Sequence, residues 1–73
     1  MATKKDVSIP RITYGYPGAT YPTLKFAVDM AKIEYERAVE KAEKEGKKIK
    51  ESYDQALVME ETSVYLKLTM VDK

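Results

Sequence analysis

Cysteine and histidine are both missing from the 73-residue chain, and each absence removes a class of chemistry. Without cysteine there is no disulfide to staple a small domain and no thiol nucleophile. Without histidine the commonest general base is gone, and zinc loses both of its favoured ligand types. No run approaches the ~18 apolar residues of a membrane span, and the N-terminus carries no signal-peptide core. An excess of one charge is lacking as well: thirteen basic and twelve acidic residues leave a net charge of +1, whereas nucleic-acid binders usually show a clear basic excess. Gly15 and Gly18 belong to a Tyr-Pro turn, and no G-x-G-x-x-G or G-K-[ST] phosphate loop is present. These absences lead to the expectation of a non-enzymatic protein without cofactor, metal or membrane contact, with the cytoplasm as its default location.

One core of this size supplies only about 3–5 kcal/mol of net stability, so small chains usually add a disulfide, a metal or a partner. With the first two excluded, self-association or docking onto another protein remains. The expected partners are therefore a second copy of the chain and another protein.

Three zones follow one another. Residues 1–6 are expected to be disordered, and residues 7–73 to form a single small α+β domain. From Val7 to Pro22 the chain is extended and turn-rich. Ile12, Tyr14 and Tyr16 alternate with Arg11, Thr13 and Gly15, the period of a half-buried strand. Val7 and Ile9 have the opposite parity and Pro10 lacks a backbone donor, which predicts an edge strand broken near Pro10. Tyr16-Pro17-Gly18-Ala19 has the pattern of a type II turn.

The middle zone, from Thr20 or Thr23 to about Glu61, has helical periodicity. Ala27, Ala31, Tyr35, Ala38, Ala42, Gly46, Ile49, Tyr53 and Leu57 succeed one another at steps of three or four, and Phe26, Met30 and Ile33 widen this stripe near its start. Gly46 divides the evidence. A glycine after Lys44-Glu45 reads as a helix stop, and Ser52 with Gln55 as a capping box for a second helix. Against this, the stripe keeps its phase across Gly46, Glu43 and Lys47 have favourable i, i+4 order across it, and interior glycine costs only ~1 kcal/mol relative to alanine. The balance favours one continuous helix. Its flanking strands would then start at opposite ends of a long rod, so they would pair more easily between chains. From Ser63 to Val71, Val64, Leu66, Leu68 and Met70 alternate with Tyr65, Lys67, Thr69 and Val71, the clearest strand in the sequence. The expected fold is α+β: an N-terminal edge strand, one long or Gly46-broken amphipathic helix and a C-terminal strand, completed by oligomerisation.

No catalytic constellation emerges. Ser8, Ser52 and Ser63 have no imidazole to activate them, Glu34, Glu36, Glu40 and Glu43 fall on a solvated helix, and Glu60-Glu61 would lie at its frayed end. Three surfaces suit binding instead. Ala31, Tyr35, Ala38, Ala42 and Gly46 would let another backbone approach closely, either the chain's own strands or a second helix in an oligomer. Tyr14, Tyr16 and Tyr21 cluster at the Tyr-Pro turn, either plugging the core or offering partner-binding area at low entropy cost. Lys44, Lys47, Lys48 and Lys50 form the densest basic cluster and, with the exposed tyrosines, would serve the alternative of a nucleic-acid-binding or regulatory protein, although Glu40, Glu43, Glu45 and Glu51 interleave with them. The leading expectation is a small protein-interaction module: an oligomeric adaptor, accessory subunit or inhibitor.

Overall fold

A computed structural model describes residues 5–72. One strand organises it. β5 (Ser63–Asp72) lies at the centre of an antiparallel sheet and pairs with every other strand. Along one edge run β1 (Lys5–Ser8), with Val7 opposite Leu68, and β2 (Ile12–Thr13), with Ile12 opposite Val64. Along the other run β3 (Lys47–Ile49), with Ile49 opposite Met70, and β4 (Leu57–Met59), with Leu57 opposite Leu66. The long helix α1 (Leu24–Lys44) covers one face, and the single turn α2 (Tyr53–Ala56) links β3 to β4.

The strict alternation in β5 explains this placement. Val64, Leu66, Leu68 and Met70 are buried under the helix, while Lys67 is exposed on the opposite face. Burying each such Val or Leu contributes about 1.5–3 kcal/mol. From the helix, Ala27, Ala31, Ala38 and Ala42 complete the core. Their short side chains bring the helix axis close to the sheet, so the alanine stripe is filled by the chain's own strands. The break between β1 and β2 falls at residues 9–11, around Pro10. The turn at Tyr16–Ala19 closes with Ala19 N–H donating to Tyr16 O at 3.0 Å, and Gly18 has φ of +93°.

The helix does not continue through Gly46. It ends at Lys44, and Gly46 adopts φ of +74°, a left-handed conformation open to glycine at little cost. Its amide donates to Glu43 O at 3.0 Å, and the chain reverses into β3. The apolar phase survives the break for a different reason. Ile49, Tyr53 and Leu57 return to the same core from a strand, a one-turn helix and a strand. A strand puts every second residue on one face, so steps of four suit it as well as they suit a helix. Glu43 and Lys47 thus belong to a helix and a strand, and Glu60-Glu61 lies in the turn before β5, away from any helix end. Among the described residues both flanking segments pair with β5 of the same chain, so a rod with strands at opposite ends does not form.

Thr23 occupies the N-cap of α1 without a side-chain cap bond. The Ser52/Gln55 capping box does form: Gln55 N–H donates to Ser52 Oγ at 3.3 Å, and Ser52 N–H donates to Gln55 Oε1 at 3.2 Å. Lys5 and Asp6 belong to β1; the rest of the segment expected to be disordered, residues 1–4, lies outside the described residues.

Candidate functional site

The outer side of α1 carries the feature least expected of a self-sufficient domain. Phe26 is 53% exposed and Ile33 41% exposed, and Met30 between them is half-buried. At about 100° per residue, Phe26 and Ile33 point well away from the stripe containing Ala27 and Ala31. The expectation that Phe26 and Ile33 widen the buried stripe is therefore corrected, while Met30 does reach the core. Leu24, 39% exposed, falls on the alanine side of the helix at its first turn and is not part of this outer area. Beside Met30 an open pocket of about 250 Å³ is lined by Pro10, Ile12, Tyr21 and Glu34, among others.

Further along, the same side of the helix becomes charged. Arg37 donates to Glu34 at 3.2 Å and Lys44 pairs with Glu40 at 3.6 Å. Exposed pairs of this kind contribute only a few tenths of a kcal/mol, roughly 0.3–0.5 each.

The three turn tyrosines separate. Tyr14 donates its hydroxyl to the carbonyl oxygens of Glu60 and Glu61 at 3.1 and 3.2 Å and packs against the core, and Tyr21 is likewise half-buried there. Tyr16, 44% exposed, is the most open of the three. Among the residues considered for an oligomer interface, Ala31, Ala38 and Ala42 are buried in the chain's own core. Tyr35 donates its hydroxyl to Glu51 O at 2.8 Å, and Gly46 sits exposed in the turn. The lysine cluster is dispersed. Lys44 ends the helix, whereas Lys47 and Lys48 are consecutive strand residues and project to opposite faces. Lys50 follows just beyond β3.

On the sheet face away from the helix, Tyr65, Lys67 and Thr69 border a shallow groove of about 500 Å³, with Asp6 and Glu51 on its flanks. Two arrangements occupy this face. Arg11 lies 4.7 Å from the centre of the Tyr65 ring while ion-pairing with Glu60. Glu51 accepts from Thr69 N–H at 2.7 Å and from Thr69 Oγ1 at 2.8 Å, filling the gap between β3 and β4 where no strand pairs with β5. Partial burial opposes ionisation of Glu51, but the bonds from Thr69, its own amide and nearby Lys50 outweigh it and hold the carboxyl below its ordinary range. Burial, with Asp29 and Asp54 nearby, raises the Tyr53 hydroxyl above its ordinary range. That hydroxyl donates to Val28 O at 2.8 Å, and its ring meets Tyr35 edge-on at 5.7 Å.

The chain matches no protein-family model, no curated protein and no solved structure. Among the described residues, no helix is long and apolar enough to cross a membrane, and no three acidic side chains gather as a metal site. The outward direction of Phe26 and Ile33 was available from their angular offset to the alanine stripe. The role of Glu51 was not, because it depends on where α2 interrupts the sheet edge.

Proposed function

We propose that the protein is a small non-enzymatic interaction module whose contact surface is the outer side of the first half of α1, with exposed Tyr16 at the neighbouring turn. The observation that carries this reading is the exposure of Phe26 and Ile33 on a helix whose underside is already packed. Neither side chain is needed to close the core, and large exposed apolar groups grouped on one surface mark contact sites more often than scattered ones do. Of the three turn tyrosines, Tyr16 joins Phe26 and Ile33 in this surface. Tyr14 and Tyr21 support the turn from beneath.

The nucleic-acid reading is weaker on physical grounds, because Lys47 and Lys48 diverge and Lys44 is paired with Glu40. The test is affinity capture from the native cell with the wild-type chain and with the Phe26→Ser/Ile33→Ser variant. Loss of a specific partner from the variant, with an unchanged melting temperature, supports the proposal. Equal capture by both proteins, or salt-sensitive retention on nucleic acid that the variant keeps, would replace it.

A further inference from the structure

The outer residues Phe26, Met30, Ile33, Arg37, Glu40 and Lys44 are spaced by four, three, four, three and four, the alternation of a two-helix seam. The seam is apolar at its first three positions and charged at the next three. A parallel second helix would set Arg37 on Arg37, Glu40 on Glu40 and Lys44 on Lys44. An antiparallel one slides the two apolar segments over each other and carries Glu40 and Lys44 beyond the overlap.

We infer that the occupant of this surface is a second copy of the chain, docked antiparallel about a two-fold axis, with Met30 opposite the second copy's Ile33 and Phe26 opposite its Arg37. The inference rests on the reading of this surface as a contact site. Three features support self-docking over docking of an unrelated helix. The register satisfies the seam spacing in both copies at once, as a two-fold interface requires. It places a guanidinium over each Phe26 ring, a favourable cation–π contact. It also brings the second copy's Ile33 beside the open pocket of about 250 Å³ next to Met30, whose walls include Ile12 and Tyr21. One contact opposes the dimer: Asp29 falls beside Glu36 of the second copy on both sides of the axis, a like-charged pair. The dimer is accordingly a weak one that a charge reversal strengthens.

Sedimentation of the full chain, with thermal melts confirming that each variant folds, reads the association. Wild type is expected to show a concentration-dependent monomer–dimer equilibrium. Ile33→Glu should weaken it by roughly tenfold or more, and Asp29→Lys should tighten it several-fold through new pairing with Glu36. Because the chain has no cysteine, introduced thiols report geometry without background. Phe26→Cys mixed with Arg37→Cys should form a disulfide-linked dimer under mild oxidation, and neither variant alone should do so efficiently. A wild-type chain that stays monomeric at about millimolar concentration, without mixed cross-linking, overturns the second-copy inference and leaves the contact-surface reading standing. Self-linking of Phe26→Cys overturns the antiparallel register. A dimer indifferent to Ile33→Glu overturns the inference, placing self-association on another face, while the contact-surface reading is decided by the capture experiment.

Discussion

From Leu24 to Glu34, α1 turns Ala27 and Ala31 toward the sheet and Phe26 and Ile33 toward solvent. From Tyr35 to Lys44 it turns Ala38 and Ala42 inward and Arg37, Glu40 and Lys44 outward. The undersides are equivalent: small residues, buried, against the same strand. Only the outsides differ. The demands of folding act on the underside and are met in the same way along the whole helix. An outer side left free of other demands becomes polar, as the second half has. On the function proposed above, the apolar outer side of the first half serves contact rather than the stability of this chain.

Substitutions can separate the two demands. The largest effect belongs to the common underside: Leu66→Asp places a carboxylate at a site 3% exposed and should abolish folding, removing the 222 nm circular dichroism of both halves together. Lys67→Glu, one residue on and exposed, should be mild. Equal tolerance at the two positions would break the assignment of faces.

Next comes Glu51, whose backbone carbonyl accepts from Tyr35 where the halves meet and whose carboxylate accepts from Thr69. Glu51→Ala strands the amide of Thr69 and should cost about 1–3 kcal/mol in denaturant unfolding. Because folding lowers the Glu51 pKa, its contribution is complete above the unfolded value of about 4.3 and disappears as pH falls through the folded value. The gap between wild type and Glu51→Ala should consequently narrow in acid; a gap that widens there would contradict the role given to this carboxylate.

A smaller loss, about 1 kcal/mol, is expected for Gly46→Ala. Nothing within 4 Å meets the new methyl group, so the cost lies in the left-handed backbone alone. A gain in melting temperature would mean that the helix prefers to run on and extend its charged half. The smallest change should come from Phe26→Ser, within about 0.5 kcal/mol for the isolated monomer. A large loss there would show that the apolar half serves folding after all.

The parts legible in the sequence were those governed by local period. The alternation in β5 gave both its extent and its buried face, and Pro10 marked the break between β1 and β2. Gly46 is hard to read from sequence because its ~1 kcal/mol preference competes with an apolar phase that strands at steps of four also satisfy. A short strand such as β3 has almost no period of its own; it exists because Met70 and Asp72 stand ready to pair with it. The surface was legible in part. Tyr16 was singled out together with two tyrosines that prop the turn, and the alanines offered as an interface are covered by the chain's own sheet. Exposure depends on tertiary packing, and the sequence contained the angle of Phe26 and Ile33 but not what would cover them.

The position of β5 at the centre of the sheet, yet after all its partners in chain order, has a kinetic consequence. Until residues 63–72 are in place, β1 through β4 have no strand to pair with and α1 has no sheet to cover. The sheet assembles only when residues 63–72 arrive, in a step that joins segments as distant as Lys5 and Met70. Closing such long loops before any contact is gained slows folding. One segment thus sets the cooperativity of the whole sheet, since no pair of the other strands can form a ladder without it.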